Sequence, residues 1–128
     1  MIPKFRAWDK KAKSFINACD IVLDLISGKV YAGDIGLTDS INDVTDQIVL
    51  MQSTGLKDKN GVEIFEGDVF ESGYARYVVF WQKDAARFVL KFIHDFEDSY
   101  YLDMRNIESM DLISNIYANP ELLSSGIE

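Results

Sequence analysis

The apolar residues of this chain fall mostly in short runs rich in Val, Ile, Phe and Tyr, separated by polar turns. Such a pattern predicts short strands in preference to helices. Residues 5–8 read as a first strand, residues 9–13 as a polar turn and residues 14–19 as a second strand. Residues 21–26, the pair Ser27-Gly28 and residues 29–32 read as a hairpin, since glycine supplies the positive φ of a tight turn. Ile16, Cys19, Leu23 and Ile26 also fit helical spacing, so a helix over residues 16–26 stays open as the competing reading.

Residues 33–47 are rich in Asp and Asn and poor in large apolar side chains. A solvated loop fits that composition, as does a helix entered at Thr38, Asp39 or Ser40 as N-cap. From Ile48 the signals sharpen. Residues 48–51 form an apolar run, and Asn60-Gly61 is the pair preferred by a type I′ hairpin turn, whose two central residues both need φ > 0. Gly67-Asp68 then interrupts the strand that begins at Val62, as a bulge or corner does.

The most informative stretch is residues 74–82, because both of its faces are apolar. Tyr74, Val78 and Phe80 alternate with Ala75, Tyr77, Val79 and Trp81. A strand covered on both sides sits between a core and a second body, either the N-terminal segment or another subunit. In residues 87–93, Phe88, Leu90 and Phe92 share one face, while Arg87 and Lys91 alternate with Val89 and Ile93, giving a wetter second side. Residues 110–116 read as the last strand. Asn119-Pro120 then starts a short helical turn, with Asn119 as N-cap and Pro120 in the first helical position.

Composition narrows what such a chain can do. With 128 residues, 48% of them hydrophobic and 12% aromatic, the chain has the size and apolar content of one compact unit. The formal net charge is -8, unevenly spread. Lys4, Arg6, Lys10, Lys11 and Lys13 face Asp9 alone at the start, whereas residues 51–128 hold 14 acids against 7 bases. An acidic body repels phosphate backbones, so nucleic acid is disfavoured as a partner and only the N-terminal strip could serve one. The single cysteine, Cys19, excludes an internal disulfide and any C-x-x-C site. The start lacks the apolar stretch of a signal peptide, and no segment approaches the length of a membrane span, so a soluble, reducing compartment is expected.

Three blocks, FRAWD at Phe5–Asp9, LMQSTGLKDKNGVEIFEGDVF at residues 50–70 and SNIYANPELL at residues 114–123, resemble in order and spacing the YopX family of bacteriophage and prophage proteins. The resemblance spans nearly the whole chain except residues 10–47, and its middle block is the most specific. Ser53 stands where the family usually has an aromatic, Ser114 where glycine is usual before Asn-Ile-Tyr, and Ala118 where an acid is common. The resemblance implies a small phage accessory protein with an SH3-like β roll and no established activity. In the middle block every marked residue has a structural use: Asn60 and Gly61 in the turn, Val62, Ile64 and Phe65 in packing, Gly67 in the bend, Asp68 in a local hydrogen bond to the backbone. That stretch reads as scaffold.

Candidate chemistry is sparse. His94, the only histidine, sits near Asp95, Glu97, Asp98 and Asp103, a set that could hold a hard divalent cation, although an acidic exposed loop between strands is the preferred reading. Cys19, flanked by Ile16, Ala18, Ile21 and Val22, reads as a small buried hydrophobe rather than a thiolate partner of His94. Gly33 and Gly36 lack the strand, helix and lysine of a phosphate loop. Lys4, Phe5, Arg6, Trp8, Lys10, Lys11 and Lys13 could combine stacking with phosphate contacts. Phe5 and Trp8 point to opposite faces, however, so at most one is displayed.

The expected fold class is therefore mainly β (α+β). An N-terminal segment of strands and an acidic loop, residues 1–47, packs on an SH3-like roll of residues 48–123, and residues 124–128 fray. No catalytic residue, cofactor or metal is expected. The expected function is that of a non-enzymatic, cytoplasmic accessory protein acting through protein association, as a homo-oligomer and with a host protein as a further partner, away from membranes. Tyr77 and Trp81 are the first candidates for the contact surface, then Trp8 and Arg6. The alternatives are a barrel that binds single-stranded nucleic acid through the basic strip, and an acidic mimic of nucleic acid.

Overall fold

The computed structural model describes residues 4–17, 21–32, 42–93 and 101–123, and within them the chain is mainly β. It divides into two compact units, one of Phe5–Met51 and one of Met1–Lys4 with Gln52–Glu128. The readings made for Thr38, Asp39 and Ser40, for Gly33 and Gly36, for Cys19 and for residues 124–128 lie outside the described residues.

In the first unit, β1 (Phe5–Asp9) and β2 (Ser14–Ile16) form an antiparallel hairpin with Trp8 opposite Phe15 and Ala7 opposite Ile16. Asp9 makes the turn: its Oδ1 accepts from the Lys11 and Ala12 amides at 2.9 and 3.1 Å, and the Lys13 amide donates to the Asp9 carbonyl at 2.7 Å. Next, β3 (Ile21–Leu23) pairs with β4 (Val30–Ala32), so the strand reading of this region holds and the helical alternative falls. The local cause is again an aspartate. Asp24 accepts from the Ile26 and Ser27 amides, and the Gly28 amide donates to its carbonyl, which reverses the chain where a helix would have continued. β5 (Asn42–Asp43) adds a third strand, followed by a 3-10 turn, Thr45–Gln47. Ala7, Val30 and Ile48 form the buried centre of this unit, with Ile16, Ile21, Leu23, Val44 and Leu50 packed around them.

β6 (Ile48–Lys57) is longer than its apolar start suggests, and its distal half pairs with β7 (Glu63–Phe65) in the second unit. The loop between them is a correction to the type I′ reading. Gly61 does have positive φ, +84°, but among the described non-glycine residues only Lys13 and Ala86 do, so Asn60 is not left-handed. The loop is instead organised by Asp58, which is 8% exposed and accepts from the Asn60 and Val62 amides at 2.9 and 2.8 Å. The corner expected at Gly67-Asp68 is present: Gly67 has φ +89°, and Asp68 Oδ2 accepts from the Phe65 amide at 2.9 Å. Thr54 donates to the Ile64 carbonyl, and Ile64, Val69 and Phe70 are fully buried, whereas Val62, expected in packing, is 49% exposed and precedes the strand.

β8 (Asp68–Ser72), β9 (Ala75–Gln82), β10 (Arg87–Phe92), β11 (Tyr101–Asp103) and β12 (Asp111–Asn115) form an antiparallel sheet in the order β11-β10-β9-β8-β12, curled into a half-barrel. The inner face is closed by the 3-10 helix Met104–Ser109. Its Met104 and Ile107 pack with Met110, Ile64, Phe70, Tyr77, Val79 and Leu90. Burying a core side chain of this size is worth about 2–3 kcal/mol of transfer free energy. The other face carries a smaller cluster of Val69, Val78 and Ile93, covered by Ile116 and Leu122 from the C-terminal segment. At Val78, then, the chain's own C-terminal segment covers the second apolar side of β9.

Candidate interaction surfaces

Beyond Val78 the two sides of β9 part company. Its pairing with β8 runs from Ser72↔Ala75 to Val69↔Val78, whereas its pairing with β10 continues to Gln82↔Arg87. The β9–β10 hairpin thus extends past the end of the β8 ladder. Phe80 and Trp81 lie on this extension, on opposite faces, 36% and 40% exposed. Trp81 meets Phe88 edge-on, with ring centroids 4.9 Å apart, and Lys91 Nζ sits 4.9 Å over the Phe80 ring. Phe88 in turn packs on the inner core, so Trp81 is held by the core without belonging to it.

Tyr77 has a different fate from Trp81, although the two share a face. It is buried, its ring 5.5 Å from that of Phe92, and it forms part of the inner core. It offers no surface to a partner, which corrects its place beside Trp81 as a contact residue. Tyr74, in the turn before β9, is fully exposed.

Trp8 and Arg6 are brought together in the first unit, around a residue that sequence reasoning passed over. Phe15 stands opposite Trp8, and their rings are 4.9 Å apart at 79°. The Arg6 guanidinium lies 4.9 Å from the Phe15 centroid, and Arg6 Nη2 donates to Met51 Sδ. Trp8 is 7% exposed, which corrects its place as a contact residue as it does that of Tyr77, while Phe5 and Phe15 are 40% and 45% exposed, so one of the pair Phe5 and Trp8 is displayed, as strand alternation requires. Pairing arithmetic could have found Phe15: a turn centred on residues 10–13 sets Asp9 opposite Ser14 and hence Trp8 opposite Phe15.

Carboxylates in both units are held by local hydrogen bonds and ion pairs. The Asp9 carboxyl is held below its ordinary range, first by the Ala12 amide and also by Lys11 and by Gln47 Nε2, which reaches both oxygens at 3.3 and 3.2 Å. Glu63 is lowered by the Ser53 hydroxyl and by Lys4, whose Nζ lies 3.6 Å away. Ser53, standing where an aromatic was expected, is 4% exposed and bonded to Glu63, which explains a hydroxyl there. Ser114 likewise donates to Asn119 Oδ1, so Asn119 holds β12 with its side chain while its carbonyl accepts from the Leu122 amide.

A polar cleft of about 440 Å³ in the first unit is lined by Lys29, Asp43, Val44, Thr45, Asp46 and Gln47. Its groups are engaged with one another: Asp43 accepts from the Thr45 hydroxyl and amide, which lowers its pKa, and Thr45 accepts from the Val30 amide. Of the acidic set around His94, only Asp103 is described. It caps the Met104–Ser109 helix through the Arg105 amide at 2.8 Å and pairs with the Arg105 guanidinium. His94, Asp95, Glu97 and Asp98 lie outside the described residues. Among the described residues no group of three or more His, Cys, Asp or Glu is placed to hold a metal ion, and no helix is long and apolar enough to cross a membrane.

Against known proteins, the family model described as YopX protein matches residues 4–124. The chain belongs to the YopX family. Protein EF1440 from Enterococcus faecalis, known from a crystal structure, is 30% identical, with a TM-score of 0.64 over 97% of this chain and 99% of that one. The crystal structure of protein yopX from Bacillus subtilis is 19% identical, with a TM-score of 0.56 over 97% of each chain, and shares the fold. No curated protein matches. The YopX match reaches across residues 10–47, where none of the three sequence blocks lies.

Proposed function

We propose that this YopX-family chain is a phage or prophage accessory protein that works in the host cytoplasm by protein association rather than catalysis, with a second copy of itself as the first partner. The observation that carries this reading is the β9–β10 extension. Phe80 and Trp81 present aromatic surface on both sides of a two-stranded element, more than a third of each exposed, and Lys91 stands beside Phe80. Aromatic side chains anchored on a core and ringed by longer polar ones are the usual centre of a protein interface. Trp81 is fixed by Phe88, so little side-chain freedom is lost when it is covered.

Light scattering over a range of concentrations tests the reading. The parent chain is expected to gain mass as concentration rises, and Trp81→Ala to remain at monomer mass with unchanged circular dichroism. A parent that stays monomeric throughout, with no partner captured through the β9–β10 hairpin, overturns it.

A further inference from the structure

The β1–β2 hairpin has features that the protein-association reading leaves unused. Its turn carries Lys10, Lys11 and Lys13, all exposed, and among the described residues no carboxylate lies within ion-pair distance of any of them. The neighbouring acid, Asp9, accepts from the Lys11 and Ala12 amides of the turn and from Gln47 Nε2. Lys13 adopts φ +56°, a left-handed conformation that glycine or asparagine would accept with less strain. A lysine at that position is costly to the turn and adds a third cation to its tip.

Two residues from this tip, Phe15 carries the Arg6 guanidinium over its ring and meets Trp8 edge-to-face, while 45% of it stays exposed. An aromatic ring fixed beside a cluster of cations is the combination that binds unstructured nucleic acid: bases stack on the ring and phosphates meet the lysines. A duplex is disfavoured, because its bases are already stacked and cannot reach the ring. The acidic remainder of the chain repels phosphate, so contact is confined to this hairpin and the footprint is short.

We infer that the β1–β2 hairpin is a contact site for single-stranded nucleic acid, with Phe15 as the stacking platform, Lys10, Lys11 and Lys13 as the phosphate contacts, and Arg6 and Trp8 as the residues that position Phe15. Three phosphate contacts on a single strand give a salt slope of about -2, so affinity should fall roughly 20-fold between about 50 and 200 mM salt.

The test is fluorescence anisotropy of the full chain with a labelled oligothymidylate of about 12 nucleotides. Saturable binding at low salt with that slope is expected. Phe15→Ala should weaken it about 10-fold, Phe15→Trp should retain it, and the Lys10→Glu, Lys11→Glu, Lys13→Glu triple variant should abolish it, circular dichroism being unchanged for the triple variant. No saturable binding at low salt, binding that survives the triple variant, or preference for a duplex of the same length overturns the inference. Binding that depends on the lysines and is indifferent to both Phe15 substitutions also overturns it, since that would be a polyanion attraction without stacking.

Discussion

Replacing Tyr77 and Trp81 by alanine, one at a time, separates two residues that share a strand face and differ in burial. Tyr77 is 8% exposed and surrounded by Ile64, Phe70, Val79, Leu90 and Phe92, so its removal leaves a cavity in the inner core. Truncating a buried aromatic costs about 3–5 kcal/mol. At roughly 4 °C per kcal/mol for a chain of this length, Tyr77→Ala should lower Tm by about 15 °C. Trp81 is 40% exposed and its main contact is the edge-on pair with Phe88, worth about 0.5–1.5 kcal/mol beyond its buried area. With about 1–2 kcal/mol more for the buried part of the ring, Trp81→Ala should lower Tm by about 10 °C, less than Tyr77→Ala. Scanning calorimetry at a concentration where every variant is monomeric removes the contribution of association. Light scattering at high concentration then reads association alone, and only Trp81→Ala should lower the mass without loss of fold. Equal losses of Tm would show that Trp81 is core and would refute the assignment of the hairpin extension to an interface.

Further consequences follow from the turns and carboxylates. Asp58→Ala removes the one buried residue of an otherwise exposed loop and deprives two amides of their acceptor, and urea denaturation should show a loss of about 1 kcal/mol with unchanged m. Gly61→Ala meets no atom within 4 Å, so its cost should be backbone strain alone, about 1–2 kcal/mol, and Gly61→Asn should recover part of it. Asp9, Asp24, Asp43, Glu63 and Asp103 are all lowered from ordinary values of 3.8 for Asp and 4.5 for Glu, each first by a hydrogen bond to its charged form. Folded values below unfolded ones contribute stability that is present above the unfolded pKa and is lost as pH falls through the folded one. Urea midpoints should hold steady above about pH 5 and decline below it, with Asp9→Asn and Glu63→Gln flattening the decline. A midpoint that is flat down to about pH 3 would contradict these assignments.

Local chemistry was readable from the chain because it acts over a few residues. Alternation in residues 74–82 and 87–93 predicts β9 and β10, and the shared face of Phe88, Leu90 and Phe92 is the face that packs inward. Asp and Gly positions mark the turns, although the Asp58 loop shows the limit of a two-residue rule. Asn60-Gly61 suggests a tight turn by itself, and the buried carboxylate two residues earlier selects a wider one. The stretch Met104–Ser109 had no legible period, because a short 3-10 helix buries only Met104 and Ile107 and leaves no repeat.

What strand periodicity could not decide was the neighbour on each face. A period of two says that Tyr77 and Trp81 point the same way, yet the inner core ends between them, so one is packed and the other displayed. It says that β9 has a second apolar face, and the fold covers Val78 on that face with Ile116 and Leu122 from about forty residues along the chain. It places Trp8 and Arg6 on one side of β1, and only the closed hairpin sets Phe15 beside them. The sequence alone determined the strand-rich class, most turn positions and the family, because those depend on spacing and backbone preference. The tertiary structure decided which apolar and charged groups remain at the surface, because burial depends on segments far apart in the chain meeting in space.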